Sequence, residues 1–289
     1  MNENFYWIWL SRIKYLDAIS TRKLIEFFKK PENIWNAKIK ELQESKLTHK
    51  IIRENLDNRG LIAFIADGAV IPRRDDDLAP MIDATPFESD PSMRVTFEVP
   101  NGEPVSGMGI PKGFTVITGK SRSGKSSILD GIYAGVYNHI PGDGREYVIT
   151  SNKAAYVMSE PNRPADSVDI SMFVSSSDEF EDVSAAKKEF ISSPMSEFVS
   201  VSEAIEMGSD LLLIDEEYSN PCVIRKGFLS DEDRVTSLSE LGRSMGKNGT
   251  SLIMVSGDES AVRSADNILI VEAFKAKPSD VERIEASSE

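Results

Sequence analysis

Cysteine and histidine are rare in this sequence, and it has no long apolar run. Cys222 is the only cysteine, which excludes an internal disulfide and fits a reducing compartment. The two histidines, His49 and His139, lie far apart, which argues against a histidine-rich metal site. No apolar run approaches the roughly 20 residues that span a bilayer, and the charged, amphipathic N-terminus lacks the pattern of a signal peptide. We therefore expect a cytoplasmic protein without a membrane partner.

Positive charge is scarce after residue 57. Residues 1–57 contain 11 Lys or Arg and 8 Asp or Glu, whereas the remainder contains 22 and 39, and the whole chain has a net charge of −14. An acidic surface does not attract the phosphates of nucleic acid. Any contact with nucleic acid is therefore expected from residues 1–57, where the excess of positive charge is small.

Residues 116–127 carry the clearest functional motif. Val116–Thr118 predicts a short buried strand, and the next eight residues, GKSRSGKS, fit the phosphate-binding pattern G-x-x-x-x-G-K-[ST]. The glycines let the backbone turn tightly, so that its N–H groups point at phosphate oxygens. The predicted nucleotide-binding residues are Gly119, Lys120, Ser121, Arg122, Ser123, Gly124, Lys125, Ser126 and Ser127.

The side chains of this loop indicate which ligand it binds. Lys125 is expected to reach the β- and γ-phosphates, and the Ser126 hydroxyl to bind Mg²⁺. Apolar residues recur at helical spacing after the loop, beginning at Ile128 and Ile132, and the predicted helix places its positive N-terminus under the phosphates. The alternative is a glycine- and serine-rich turn that matches by accident. The strand before and the helix after the motif favour a site for ATP and Mg²⁺.

A second informative stretch is DLLLIDEE at residues 210–217. Four apolar residues predict a buried strand, and Asp215 and Glu216 emerge at its C-terminal end. In P-loop enzymes an Asp at this place holds Mg²⁺, and the next carboxylate can polarise the attacking water. Paired acidic residues after a strand are also found in surface turns that have no catalytic role. A phosphate-binding loop in the same chain favours a role in binding Mg²⁺ and in catalysis. Asp215 is therefore the predicted metal ligand and Glu216 the predicted catalytic base.

The chain divides into two parts by pattern. Residues 1–57 read as short helices, with Trp7, Trp9, Trp35, Phe27 and Phe28 as the expected core of a small helical domain. Residues 58–289 alternate between strand-like and helical stretches, which is typical of an α/β domain with a mostly parallel sheet. The predicted fold is a P-loop NTPase with a small N-terminal all-helical domain.

Several segments resemble the predicted ATPases of the ABC class. They are GLIAFIADGAVIPR at 60–73, GMGIPKG at 107–113, GVYNHIPGDGREYVIT at 135–150, VDISMFV at 168–174 and LLLIDEE at 211–217. The likeness covers about residues 58–285 in the expected order. It implies an ABC-ATPase-type P-loop core that binds ATP without a membrane partner, in a family some of whose members have been linked to nucleic acid. The family's usual chains are longer at both ends.

The first 57 residues resemble a different family, the N-terminal helical segment of DNA-processing protein A. The likeness rests on YWIWLSRIKYL, KLIEFFKKPENIWNA and KIIRENL. That segment normally has glycines in its first hairpin, where this chain has Tyr15-Leu16-Asp17, and a close backbone approach to a phosphate needs such glycines. We therefore interpret residues 1–57 as a helical appendage, either for structure or protein interaction or for contact with nucleic acid.

ABC-class ATPases hydrolyse ATP between two subunits, so the first resemblance also implies an ATP-dependent homodimer. The partner supplies a signature loop at a helix N-terminus, which donates to the γ-phosphate. The equivalent here is Ser192-Ser193-Pro194-Met195-Ser196-Glu197, in which the serines could still donate. Pro194 lacks an N–H group, Met195 adds bulk, and Glu197 is expected to place a negative charge where a phosphate should lie. The segment VSGDES at 255–260 also lacks the switch histidine of transporter ATPases.

These features leave three hypotheses open. The first is a slow Mg-dependent ATPase that acts as a nucleotide-gated switch, supported by residues 210–217. The second is a hydrolysis-impaired ATP-binding adaptor that contacts nucleic acid or a protein partner, and the third is a truncated fusion product without activity. The altered stretches at 192–197 and 218–222 favour the second or third, unless the changes are tolerated drift.

Overall fold

The computed structural model describes residue 30 and residues 46–74, 78–81, 83–99, 103–225, 234–272 and 275–279. The aromatic residues of the predicted helical core, and most of the segment that resembles DNA-processing protein A, lie outside these residues. Within the described part of the chain, no helix is long and apolar enough to cross a membrane.

The described strands and helices alternate along the chain. The strands are β1 (Leu61–Ala66), β2 (Arg94–Phe97), β3 (Val105–Pro111), β4 (Phe114–Thr118), β5 (Val148–Thr150), β6 (Ala154–Val157), β7 (Ala165–Val168), β8 (Val174–Ser176), β9 (Ala186–Lys188), β10 (Leu211–Asp215), β11 (Arg234–Val235), β12 (Ser251–Val255), β13 (Asn267–Glu272) and β14 (Lys275–Ser279). The helices are α1 (46–58), α2 (Lys125–Ala134), α3 (Ser193–Glu206), α4 (Pro221–Ile224), α5 (Leu238–Lys247) and α6 (Glu259–Ser264). Short 3₁₀ turns lie at Val183–Ala185 and Glu216–Tyr218.

The central sheet has six strands in the order β14-β13-β4-β12-β10-β6. Five of them are parallel, and β14 pairs antiparallel with β13. Every residue of β4, β10 and β12 is buried, as expected for a parallel sheet that is covered on both faces. The predicted mostly parallel sheet and the strand at 211–214 are therefore confirmed.

Helix α2 lies between the central sheet and a second, antiparallel sheet of order β2-β3-β1-β5. Its buried residues Ile128, Leu129 and Ile132 join one core with Leu211 and Leu213, which come from one face of β10. Side chains of β1 and β3 complete this core from the other side. The helix that carries the phosphate-binding motif is thus held between two sheets.

The opposite face of the central sheet is covered mainly by α3 and α5. Leu212 and Ile214, which alternate with the residues facing α2, pack there with Phe198 and Val199 of α3 and Leu238 of α5. Because side chains alternate along a strand, β10 contributes to both cores. Its C-terminal end therefore has little freedom to move.

Helix α1 packs on the outer face of the antiparallel sheet. Ile52 and Leu56 are buried there in one cluster with Phe64 and Phe97. The Arg53 guanidinium donates to the carbonyl oxygens of Thr150 at 3.0 Å and of Gly135, at the end of α2, at 2.8 Å. The division of the chain after residue 57 stays a prediction, and α1 makes close contacts across it.

Candidate functional site

The predicted phosphate-binding loop begins at Gly119, directly after β4. Gly119 has φ 137° and Gly124 has φ 102°, conformations that L side chains rarely adopt. A Cβ atom at Gly119 would overlap the carbonyl oxygen of Val271 in the neighbouring strand β13. Both fixed glycines of the motif are therefore required by the backbone itself. Gly124 is also the N-cap of α2, so the helix begins where the loop ends.

The Lys125 side chain is hydrogen-bonded to the backbone of its own loop. Its Nζ donates to the carbonyl oxygens of Gly119 at 3.0 Å and Lys120 at 2.9 Å. The first turn of α2 contains no acidic residue that would neutralise the positive end of the helix dipole. The loop therefore presents a lysine amine and a helix N-terminus on the same side, a combination that suits a phosphate.

Asp215 ends β10 and is only 2% exposed. Its Oδ1 accepts the Glu217 N–H at 3.0 Å, whereas Oδ2 is buried and has no hydrogen-bond partner among the described residues. A buried carboxylate oxygen without a partner is costly. An oxygen-seeking cation such as Mg²⁺ would satisfy it, so the arrangement fits the predicted metal ligand.

The charges around Asp215 also favour a cation. Asp130 follows Ser126 by one turn of α2, and burial raises the pKa of Asp130, opposed by Arg145 and reinforced by the charge of Asp215. Burial, and then the charge of Asp215, raise the pKa of Tyr156. The described residues contain no group of three or more His, Cys, Asp or Glu side chains arranged for a metal. A magnesium site here would therefore rest on Asp215 and the Ser126 hydroxyl.

The Glu216 carboxylate is held in place by the segment that follows β12. Its Oε2 accepts the Ser256 hydroxyl at 2.8 Å and the Gly257 N–H at 2.7 Å. β10 and β12 are neighbours in the sheet, so their C-terminal ends bring these groups together. Ser256 and Gly257 belong to the segment VSGDES at 255–260. Their contacts with Glu216 were not predicted, because only the strand order reveals them.

One cavity of about 690 Å³ joins most of these groups at the C-terminal end of the parallel strands. This is where open α/β sheets bind their ligands. The predicted site residues on its wall are Gly119, Ser121, Arg122, Gly124, Lys125, Ser126, Ser127, Asp215 and Glu216, with Glu217, Val255, Ser256 and Gly257 as further lining. The predicted residues Lys120 and Ser123 do not line it. Lys120 instead contributes its carbonyl to Lys125, and the Ser123 side chain is buried.

The expectation for Glu197 is wrong. Glu197 is fully buried in α3, and its Oε2 accepts the Asn220 N–H at 2.9 Å. Its carboxyl group therefore does not lie at an exposed helix end where a phosphate could meet it. Met195 is also buried in the core rather than adding bulk at the surface. Pro194 lies in the first turn of α3, where a missing N–H costs no helical hydrogen bond.

The serines around the start of α3 have partners inside the chain. The N–H and hydroxyl of Ser192 both donate to the Glu179 carboxylate, at 2.7 and 2.5 Å. The Ser193 hydroxyl contacts the Ser159 hydroxyl at 2.5 Å, and the Ser196 hydroxyl donates to the Ser193 carbonyl oxygen at 2.7 Å. The Glu179 carboxylate thus occupies the N–H and hydroxyl donors of Ser192, and the Ser193 and Ser196 hydroxyls have partners of their own.

A glycine substitution tests the loop geometry. We expect Gly119→Ala to destabilise the protein by roughly 2–4 kcal/mol, because the new Cβ meets the Val271 carbonyl and φ lies in a region disfavoured for alanine. The matched control is Gly257→Ala, where a Cβ has nothing within 4 Å. Thermal or urea unfolding of both variants measures the difference. Equal stability of the two variants would show that the loop has a different backbone.

Comparison with known proteins places this site in context. A family model described as ABC_ATPase, P-loop domain, matches residues 36–289. The match includes residues 36–57, and nothing in the comparisons supports a resemblance of the N-terminal segment to DNA-processing protein A.

Two individual proteins show a more distant likeness. The uncharacterized protein MJ1628 of Methanocaldococcus jannaschii is 28% identical over 249 residues, which cover 81% of this chain and 55% of that protein. The chain thus spans about half the length of this relative. The solved structure of CbiO1 from Clostridium perfringens, described as part of the ABC transporter complex CbiONQ, is 13% identical with a TM-score of 0.47, covering 80% of this chain and 92% of that one.

Proposed function

Since this chain belongs to the ABC_ATPase family of P-loop domains, we propose that it is a slow Mg-dependent ATPase that acts as a nucleotide-gated switch. The observation that carries the proposal is the shared cavity, where the Asp215 and Glu216 carboxylates border the glycine-bounded loop. A loop that only held a phosphate would not need a second carboxylate fixed beside it. ATP is the proposed ligand and Mg²⁺ the proposed cation.

The loop residues bind and orient the triphosphate in this proposal. Backbone N–H groups of residues 120–127 and the start of α2 receive the phosphate oxygens. The Lys125 amine exchanges its two loop carbonyls for β- and γ-phosphate oxygens, which are stronger acceptors because they are charged. Ser126 and Asp215 hold Mg²⁺, which when bound neutralises charge on the phosphates.

Glu216 orients and deprotonates the attacking water. Two donors hold one carboxylate oxygen in place, and the other oxygen is left to accept a proton from water. The C-terminal end of β10 cannot shift easily, because β10 is buried on both faces. The reaction produces ADP and inorganic phosphate, and residues 1–57 present the nucleotide-dependent state to a partner or to nucleic acid.

The hydrogen bonds between Glu179 and Ser192 at the N-terminus of α3 favour a second candidate function. Glu179 engages the Ser192 donors, so a second copy of this chain would have to displace a carboxylate before α3 could contact a γ-phosphate. A chain in which that displacement fails would bind ATP without hydrolysing it efficiently. It would then act as a hydrolysis-impaired adaptor rather than as an ATPase.

Three measurements on the same wild-type sample separate the candidates. We expect Mg-ATP to raise the melting temperature, phosphate to be released slowly, and sedimentation velocity to show weak ATP-dependent dimerisation. Stabilisation without phosphate release identifies the adaptor. Absence of any Mg-ATP effect on melting contradicts both candidates and leaves an inactive product.

A further inference from the structure

The carboxyl group of Glu197 is fully buried and is not among the residues that line the nucleotide cavity, so the proposed loop and metal chemistry does not use it. Glu197 is on α3, and its Oε2 accepts the backbone N–H of Asn220 at 2.9 Å. The other oxygen, Oε1, is buried, and the Ser219 side chain also interacts with the carboxyl group. Burying an ionisable side chain in this way is costly, so its place in the fold calls for an explanation.

The N–H group that donates to Glu197 belongs to the last residue of a short turn that begins with Glu216. Residues 216–220, here called the 216–220 turn, contain the 3₁₀ segment Glu216–Tyr218 and end at Asn220. The Asn220 side chain donates to the Ser193 hydroxyl at 3.1 Å, again on α3. Near the middle of the turn, the Tyr218 carbonyl oxygen accepts the Ser159 N–H at 3.1 Å.

The turn is therefore fixed at both ends by different parts of the fold. At one end the Glu216 carboxylate is bound by Ser256 and Gly257 beyond β12. At the other end Asn220 is bound by Glu197 and Ser193 of α3. Only three residues lie between these ends, so a displacement of Asn220 moves the backbone that carries Glu216.

We propose that Glu197 is a positioning residue for Glu216: from α3 it holds the backbone of the 216–220 turn, and so sets where the Glu216 carboxylate lies in the cavity. The inference deepens the proposed ATPase function and rests on it for its kinetic part. Glu197 itself touches neither the cavity wall nor the predicted phosphate site.

The charged groups on neighbouring elements have other partners. Arg163, on the loop after β6, donates to Ser200 at 2.6 Å and pairs with Glu203 at 2.6 Å and Glu160 at 3.9 Å. Further along, Arg225 after α4 pairs with Asp258. The titratable side chains near its partner Asn220 in the sequence are Glu216, Glu217, Tyr218 and the buried Cys222, and none of them contributes a charge effect to the pKa of Glu197. No cation therefore compensates an ionised Glu197 among these groups.

Burial raises the pKa of Glu197 to about 7 from its ordinary value of 4.5, and the hydrogen bonds from the Asn220 N–H and the Ser219 side chain oppose this rise. A carboxyl group with a raised folded-state pKa contributes its full stabilisation below its unfolded pKa and loses it as the pH rises through the folded-state value. The protein should thus lose stability as the pH rises from about 4.5 to about 7, because the buried carboxyl group becomes charged. The hydrogen bond from the Asn220 N–H favours the charged form, so ionisation does not weaken that contact. Glu197→Gln keeps an acceptor for Asn220 but does not titrate, so it should remove this pH dependence.

Amide hydrogen exchange tests the inference without requiring hydrolysis. Glu197→Ala is expected to lower the protection of the Asn220 amide at least tenfold and that of the Gly257 amide several-fold, although Glu197 does not contact Gly257. Glu197→Gln should retain both. The control Glu203→Gln, on the same helix but paired with Arg163, should change neither. Loss of protection at Asn220 with Gly257 unchanged would overturn the inference, since the contact would then be only local.

Kinetics on the same variants supply the second test. We expect Glu197→Ala to lower kcat for phosphate release about tenfold with KM within twofold, and Glu197→Gln, which keeps an acceptor for the Asn220 N–H, to retain kcat within about twofold of wild type. Equal loss in kcat and KM, or no difference between the Gln and Ala variants, contradicts a positioning role. If wild type binds ATP but releases no phosphate, the proposed hydrolysis fails, and exchange at Gly257 alone decides the inference. Should Glu197→Ala not fold, Glu197→Met replaces it, because methionine fills similar space without an oxygen acceptor for Asn220. Lowered Gly257 protection in that variant supports the inference, and unchanged protection overturns it.

Discussion

Replacing Lys125 with alanine should abolish the stabilisation of this protein by Mg-ATP. A ligand at 100 times its Kd stabilises the native state by about 2.7 kcal/mol, which corresponds to a rise in melting temperature of roughly 5–10 °C for a protein of this size. Lys125 is the only lysine among the described residues that line the cavity, so its removal takes away the amine that is proposed to bind the β- and γ-phosphates. Thermal melts with and without Mg-ATP measure the effect.

The control for this variant is Lys153→Ala. Lys153 is an exposed lysine in the turn before β6 and does not line the cavity. The Lys153→Ala substitution removes the same charge as Lys125→Ala, and we expect this variant to retain the full rise in melting temperature with Mg-ATP. An undiminished shift in Lys125→Ala would place the nucleotide elsewhere on the molecule.

Glu216→Gln should reduce phosphate release by at least about 100-fold while ATP still binds. General bases contribute typically 10²–10⁴ to the rate, and glutamine cannot accept a proton from water. Its side-chain oxygen can still accept the hydrogen bonds from Ser256 and Gly257. The variant therefore removes the chemistry with little change in shape, and a Mg-ATP melt on the same sample shows that binding remains.

Glu217→Gln is the matched comparison for Glu216→Gln. Glu217 is the next residue in the same 3₁₀ turn and lines the same cavity, but its side chain is exposed. The contact that Glu217 makes with Asp215 uses its backbone N–H, which the substitution leaves in place. We expect phosphate release within a few-fold of wild type. Similar rates for the two variants would show that Glu216 is not the base.

The parts of the site that could be predicted are those formed by residues that are contiguous in the sequence. A strand, a glycine-bounded loop and a helix follow one another from 116 to 134, and their geometry is determined locally by Gly119 and Gly124. The acids after β10 are likewise signalled by the apolar run that precedes them. The proposed roles of these residues in binding and catalysis stay predictions until the variants are measured.

The prediction for Glu197 was wrong because its burial depends on residues that are distant in the sequence. A glutamate near the start of a helix ordinarily favours the surface and the positive end of the helix dipole. Here apolar side chains of α3 on both sides of Glu197, including Met195 and Phe198, are buried in the same core. Its partner Asn220 lies 23 residues further along the chain. Nothing in the local pattern of residues 192–197 indicates that contact.

The order of strands in the central sheet has a consequence for how the chain folds. Both neighbours of β4 in the sheet, β12 and β13, come from the last 40 residues of the chain, and the Phe114 N–H donates to Asp266, 152 positions away. During synthesis the residues around 119 leave the ribosome early but have no strand partner until residues 251–272 follow. Contacts of such high sequence separation slow folding and leave apolar strands exposed meanwhile. The phosphate loop is therefore synthesised with the first half of the chain, but it can reach its folded geometry only after β12 and β13 have been synthesised.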